Sequence, residues 1–292
     1  MFIPLQIRFK YLAFLIIFSF FSCGKNTDNE KENNEKNINL PLITKTISIS
    51  QKVEGEEVLR DVIIQTPASV DKTKDYSIVF AFHGRGGTNT IWVNRLRPYT
   101  NEGEFIGVYP KGYLKSWNLG TEPSKADDVD FVNLIIDSLK NYKNLNFDKM
   151  YAIGTSNGSG MVNKLGIETT HFKAIAPIVS QLIKSSPLLE KTQPVSVFQI
   201  NGAADTTIPI NGRPKLGHVF LDSYESAVLW ANKFNCNKVP EISSLGEDTL
   251  YVFQSCDGYK EVRYLRVENG QHNLHWKDQN ILKEVWIFFK RF

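Results

Sequence analysis

The segment MYAIGTSNGSGM, residues 150–161, sets a serine between two glycines in the spacing Gly154-x-Ser156-x-Gly158. A serine on a sharp strand-to-helix turn presents its hydroxyl outward, and side chains two positions to either side would collide there. Glycines relieve that collision. MYAIG reads as a buried strand, and SGMVNKLG reads as the start of a helix with Met161, Val162 and Leu165 on one side. The flanking chain therefore supplies the turn, and Ser156 is the candidate nucleophile. Its hydroxyl attacks a carbonyl only if a base takes the proton and an acid orients the base.

Five histidines are available: His83, His171, His218, His272 and His275. A nucleophile on this kind of turn takes an acid and then a base in chain order, the acid after a late strand and the base in the last loop. VSVFQINGAADTTIP offers Asp205 just past a strand, in a loop of small residues. YLRVENGQHNLHW offers His272 after the last strand candidate (261–268) and before the last helix, with His275 as its rival. A developing oxyanion also needs donors. IVFAFHGRGGTNT puts His83-Gly84-Arg85-Gly86-Gly87 directly after a strand, where glycines let backbone N–H groups approach a substrate. The N–H groups of Arg85 and Asn157 are the expected pair, and His83 is expected to brace the loop. The loop lacks the Gly-Lys-Ser/Thr ending of a phosphate cradle.

The elements that must position these residues follow from hydrophobic patterning. ITKTISISQKV and EVLRDVIIQTP alternate around the turn EGE, which predicts an antiparallel hairpin at a sheet edge. Short continuous apolar runs follow at 76–82, 104–110, 150–154, 172–180 and 195–200, as expected of parallel strands covered on both faces. Between and after them lie helical patterns: DDVDFVNLIIDSLKNY with a stripe of Phe131, Leu134, Ile135 and Leu139, then SYESAVLWANKF and ILKEVWIFFKRF. Asp127 and Asp128 read as caps of the first of these helices. Alternating strands and helices predict one open, mostly parallel α/β domain over residues 40–292.

Taken together, HGRGG, DDVDFVNLIIDSL, MYAIGTSNGSGM, INGAADTTIPING, NGQH and the pair Cys236 and Cys256 resemble the secreted polyhydroxybutyrate depolymerase family, which includes the feruloyl and acetylxylan esterases of carbohydrate esterase family 1. The resemblance runs from about residue 55 to 285. It implies an α/β-hydrolase fold, ester hydrolysis, Ser156 as nucleophile, Asp205 as acid and His272 as base. The histidine motif departs from the family's Gly-Gly-Gly-His-x-Trp-Pro, since this chain has NGQHNLHW, and that keeps His275 in view. SWN (116–118) resembles a family segment beside the pocket, so Trp117 joins His83 and Trp276 as candidate substrate contacts, a structural role for Trp117 being the competing expectation.

At the N-terminus Arg8 and Lys10 precede YLAFLIIFSFFS, an apolar run too short to span a bilayer, which takes ~20 residues. It suits an export signal and ends at Cys23, resembling a bacterial lipoprotein signal at 1–22 with lipid attached to Cys23. Residues 24–39, GKNTDNEKENNEKNIN, hold too little apolar surface to fold and are expected to form a tether behind that anchor. In an exported chain Cys236 and Cys256 are expected to be bridged.

Removing the leader leaves 32 basic against 31 acidic residues, with no basic cluster, so nucleic acid is not an expected partner. No HExxH, EF-hand loop or cysteine-rich metal spacing is present, and neither metal nor cofactor is expected. The expected substrate is an ester carried on a polymer. Two alternatives remain: a serine peptidase with the same triad, and a surface lipoprotein that binds polysaccharide without catalysis.

Overall fold

The hairpin forms as the alternation predicts. Strand β1 (Lys45–Val53) pairs antiparallel with β2 (Glu56–Gln65). The two residues between them, Glu54 (φ 50°) and Gly55 (φ 92°), both take positive φ. That is the turn geometry whose twist matches two paired strands. The structure is a computed structural model, and it describes residues 39–274 and 279–292. Cys23, the leader, nearly all of the tether, and His275 and Trp276 lie outside the described residues.

Next come β3 (Tyr76–Phe82), α1 (Ile91–Asn101), β4 (Phe105–Pro110), α2 (Asp128–Leu139), β5 (Leu145–Thr155) and α3 (Asn157–Glu168). They are followed by β6 (Ala174–Ile178), β7 (Ser196–Gly202), a short hairpin of β8 (Pro214–Lys215) and β9 (His218–Val219), and α4 (Ser223–Lys233). β10 (Glu241–Leu245), β11 (Asp248–Cys256), β12 (Lys260–Val267) and α5 (Gln279–Phe289) complete the chain.

Ten strands form one sheet in the order β1-β2-β4-β3-β5-β6-β7-β12-β11-β10. The six from β4 to β12 run parallel, and each edge is finished by antiparallel strands. The continuous apolar runs are explained by burial on both faces. In β3, Ile78, Phe80 and Phe82 join one core with residues of α2, α3 and α4. Val79 and Ala81 join a second core with Trp92 and Leu96 of α1 and with Leu282, Trp286 and Phe289 of α5. Successive strand residues point to opposite faces, so one run feeds two cores. The described residues belong to one compact unit.

Besides the short β8–β9 hairpin, three elements escape the patterning. α1 lacks an acidic first turn, contains Pro98 and buries only Trp92, Leu96 and Thr100. β10 is exposed along its whole length, and β11 is only partly covered, so neither carries a continuous apolar run. Cys236 and Cys256 are disulfide-bonded, tying the chain just after α4 to the end of β11.

Among the described residues no helix is long and apolar enough to cross a membrane.

Candidate active site

β5 ends at Thr155 and α3 begins at Asn157, leaving Ser156 alone in the turn with φ 56° and ψ −120°. A non-glycine residue in that region is strained, and the surroundings hold it there. Ser156 N–H donates to Ile178 O at 3.0 Å, and Ser156 O accepts from Gly160 N–H at 3.1 Å. Both flanking glycines are required: a Cβ on Gly154 would overlap the carbonyl of Gly158, and one on Gly158 would overlap that of Phe82. The hydroxyl is left half-buried at the C-terminal end of the parallel strands.

Parallel register then delivers the acid and base. β7 and β12 are neighbours, with Gly202 opposite Val267. Asp205 follows the first strand by three residues and His272 follows the second by five. The loops cross at Gly202 and Gly270, where a Cβ on Gly202 would overlap the Gly270 carbonyl. Ala204 N–H donates to Gly270 O at 2.9 Å, stitching the crossing together.

Asp205 Oδ1 accepts from the N–H groups of Thr207 (2.7 Å) and Ile208 (2.9 Å). Its Oδ2 accepts from His272 Nδ1 at 2.7 Å. A carboxylate only accepts, so the imidazole proton sits on Nδ1 and Nε2 is free to accept. Nε2 faces Ser156 Oγ at 2.9 Å. The Asp205 side chain is 1% exposed and the His272 side chain 27%, so the acid is sealed while the base reaches the cleft. This arrangement is competent to deprotonate a serine and to hold the resulting imidazolium.

On the other side of Ser156, β3 ends at Phe82, which pairs with Gly154. The HGRGG loop therefore leaves the sheet beside the serine turn. His83 is fully buried: Gly112 N–H donates to its Nε2 at 3.0 Å and its Nδ1–H donates to Gly84 O at 2.8 Å. Burial holds its pKa below the ordinary value, with the Gly84 bond opposing and the Arg60 charge adding to the fall. Trp117 is also fully buried, donating from Nε1 to His83 O at 2.8 Å. Of the two roles expected for each, the buried positions of His83 and Trp117 fit bracing of the loop, and neither lines the cavity beside Ser156.

Asn157, next to the nucleophile, is locked at both ends of its amide. Oδ1 accepts from Trp117 N–H at 2.7 Å, and Nδ2 donates to Trp117 O at 3.0 Å and to Glu122 Oε1 at 3.2 Å. Glu122 Oε1 also accepts from Arg85 Nη2 (2.7 Å) and from His218 Nε2 (2.8 Å). Its Oε2 accepts from Leu119 N–H at 2.9 Å and from Thr121 N–H at 3.3 Å. Burial would raise Glu122, but the bonds from His218, Leu119 and Arg85 and the charge of His218 outweigh it and bring it down to about 2.

A second buried charge lies close by in sequence. Asp128 takes the Arg60 guanidinium at 2.7 Å and the Asn118 N–H at 2.6 Å. Only half of the capping expectation holds, since Asp127 accepts from Val129 N–H (3.1 Å) and Asp130 N–H (3.0 Å) while Asp128 turns inward to Arg60.

Glu122, His218, Arg60 and Asp128's inward role were not found by reading the sequence. Glu122 sits in TEPSK with no local pattern, and its partners Arg85 and His218 are 37 and 96 residues away.

A cavity of about 50 Å³ opens beside Ser156, walled by Leu119, Ile183, Ile208, Leu216 and Phe220 with Glu122 and His218 at its polar side. Its size admits only a small group. Among the described residues no cluster of three His, Cys, Asp or Glu side chains is arranged to hold a metal.

No family model matches the chain. Feruloyl esterase C of Emericella nidulans is 24% identical over 172 residues, covering 56% of this chain and 62% of its own length. The chain thus spans less than two thirds of that curated relative. Among solved structures, the acetyl xylan esterase from Aspergillus awamori superposes with a TM-score of 0.61 at 13% identity, covering 84% of this chain and 99% of the other. The acylaminoacyl peptidase of Pyrococcus horikoshii superposes with a TM-score of 0.57 at 13% identity, covering 85% of this chain and 42% of the other. These likenesses bear out the α/β-hydrolase fold and the resemblance to feruloyl and acetylxylan esterases. They give no support to the polyhydroxybutyrate depolymerase detail.

Proposed function

We propose that this α/β-hydrolase relative of the feruloyl and acetylxylan esterases is an exported serine carboxylic-ester hydrolase acting on acyl groups carried by a polysaccharide. The observation that carries the reading is the imidazole of His272, bonded to Asp205 through Nδ1 at 2.7 Å and to Ser156 Oγ through Nε2 at 2.9 Å. In the proposed mechanism His272 takes the Ser156 proton as Oγ adds to the ester carbonyl. Asp205 keeps the imidazole in the productive tautomer and offsets its charge. The N–H groups of Arg85 and Asn157 receive the oxyanion, a contribution of ~3 kcal/mol each by comparison with donors of this kind. Collapse expels the alcohol, which takes its proton from His272. Water then attacks the acyl-enzyme with His272 again as base, and collapse releases the acid as Ser156 Oγ takes the proton back from His272.

Export and anchoring through Cys23 are supported by the leader pattern and by the Cys236–Cys256 disulfide, a bond that persists in oxidising compartments. A tethered esterase is suited to a polymer that cannot enter the cell.

Ser156→Ala is expected to abolish turnover and covalent labelling by a fluorophosphonate while leaving the fold intact. Acetylated xylan, a feruloyl ester and a short hydroxybutyrate oligomer, offered to the mature protein, identify the acyl group. Undiminished hydrolysis by the Ser156→Ala variant would refute the assignment, and an unlabelled native protein would favour a binding role. The likeness to a peptidase favours amide cleavage as a second reading, so peptide amides belong in the same panel.

A further inference from the structure

The buried carboxylate of Glu122 is out of place by the electrostatics of the reaction proposed above. A negative charge beside a carbonyl oxygen that is becoming negative opposes the transition state. Its side chain is nevertheless fully buried, and five donors converge on its two oxygens. Five bonds exceed the lone pairs of a carboxylate, so no acceptor capacity is left for a substrate. Glu122 must act through the groups it holds.

Those groups are the ones that carry the expected oxyanion donors. Arg85 lies between Gly84 and Gly86, the latter at φ 78°, in a stretch whose backbone has more freedom than most. Its guanidinium, 42% exposed at the side chain, ends on Glu122 Oε1 and fixes the loop from outside. Asn157 begins α3, and its Nδ2 ends on the same oxygen. One atom therefore sets the separation of the two residues whose N–H groups meet the oxyanion. His218 reaches that atom from the β8–β9 hairpin, whose Leu216 walls the cavity beside Ser156. The cationic Arg85 offsets the unfavourable charge, leaving Glu122 as a rigid hub.

We propose that Glu122 is the positioning residue of the oxyanion site, aligning the Arg85 and Asn157 N–H groups through a single carboxylate oxygen; this rests on the esterase reading above. A misplacement of about 1 Å costs roughly a hundredfold in rate, so loosening the hub is read in kcat and not in ground-state binding.

The test is Glu122→Gln in the mature protein, assayed with a chromogenic acetyl ester and normalised by active-site titration. The expected result is a fall in kcat per titrated site of roughly 10- to 100-fold, with KM within about twofold of wild type. The rate of fluorophosphonate labelling is expected to fall in proportion, since the phosphonyl oxygen enters the same donors. A purely structural role would reduce the titratable fraction and spare kcat per site, and that outcome, or a raised KM with kcat retained, overturns the proposal.

If the Gln variant does not fold, Arg85→Met removes one tie at a part-exposed side chain. It is expected to lower kcat several-fold at constant KM, with Arg85→Lys recovering part of the loss. Unchanged kcat in Arg85→Met overturns the proposal. A native protein inert to every ester and phosphonate defeats the esterase reading itself, whereas an active native protein with an unaltered Glu122→Gln variant defeats only this inference.

Discussion

On one side of Ser156, Asp205 and His272 hang from loops that leave β7 and β12; on the other, Arg85 and Asn157 rest on a buried carboxylate. The first side is economical. Asp205 is satisfied by two N–H groups and one imidazole, and His272 is held through its two ring nitrogens with over a quarter of its side chain in the cleft. The second is built from charge taken out of water: Glu122 with Arg85 and His218, and Asp128 with Arg60, all pinning the chain from Asn118 to Thr121. If His272 is lost, Asp205 keeps the Thr207 and Ile208 N–H groups, whereas Asp128 without Arg60 is left as a buried charge with no cation bonded to it. The two sides should therefore fail differently.

The largest effect is expected on the first side. His272→Gln should lower kcat by roughly 10⁴-fold while moving the melting temperature by no more than a degree or two. Turnover above one per cent of wild type would break the comparison, because the base would then lie elsewhere, His275 being the next residue to test.

On the second side Arg60→Met should reverse the pattern. It leaves Asp128 ionised or forced to protonate in the interior, and denaturant unfolding should report a loss of about 3–5 kcal/mol. Activity per folded molecule should stay near that of wild type. Equal losses of stability in His272→Gln and Arg60→Met would remove the distinction.

Acid sharpens it further. Glu122, with five donors, is held down to about 2, so its unfolded form binds protons more readily than its folded form. Its stabilisation is complete above the ordinary carboxylate range and is lost as pH falls through that range toward 2. Asp128 has fewer donors; burial dominates and raises it despite Arg60. The sign reverses there: the contribution is present below the ordinary carboxylate value and is lost as pH rises from there through the raised folded value. Glu122→Gln should flatten the acid limb of the stability curve, an effect on the order of a few kcal/mol that chemical denaturation between pH 2 and 5 would measure. An unchanged acid limb would show that its donors do not depend on its charge.

The smallest effect on the chemistry is expected far from both sides. Replacing Cys236 and Cys256 together by Ser opens a closure across a sequence separation of 20 residues, at a cost of ~3 kcal/mol in the chain-entropy model and no change in kcat. A change in kcat would couple the sheet edge to the cleft.

What could be read from the sequence divides along the same line. Ser156, Asp205 and His272 each sit in a short local pattern: a glycine-flanked turn, a small-residue loop after a strand, a loop before the last helix. Parallel register then brings them together. The first hairpin was legible for a similar reason, since Glu54-Gly55 fixes its turn.

Glu122 has no such neighbourhood. Its meaning exists only once Arg85, Asn157 and His218 converge from three other parts of the chain. Asp128 looked like a cap because it follows Asp127 at a helix start, and only the approach of Arg60 across 68 residues shows otherwise. Trp117 was legible as noteworthy but not in role, because type and position cannot distinguish a ring on the cleft from one packed beneath it. β10 escaped because an edge strand with solvent on its faces leaves no hydrophobic record.

The crossing at Gly202 and Gly270 has a mechanical meaning. Two peptide backbones touch there with no side chain between them, so the segments carrying the carboxylate and the imidazole cannot drift apart independently. A methyl group added to either glycine would act as a wedge, prising open a bond several residues away from where it was inserted.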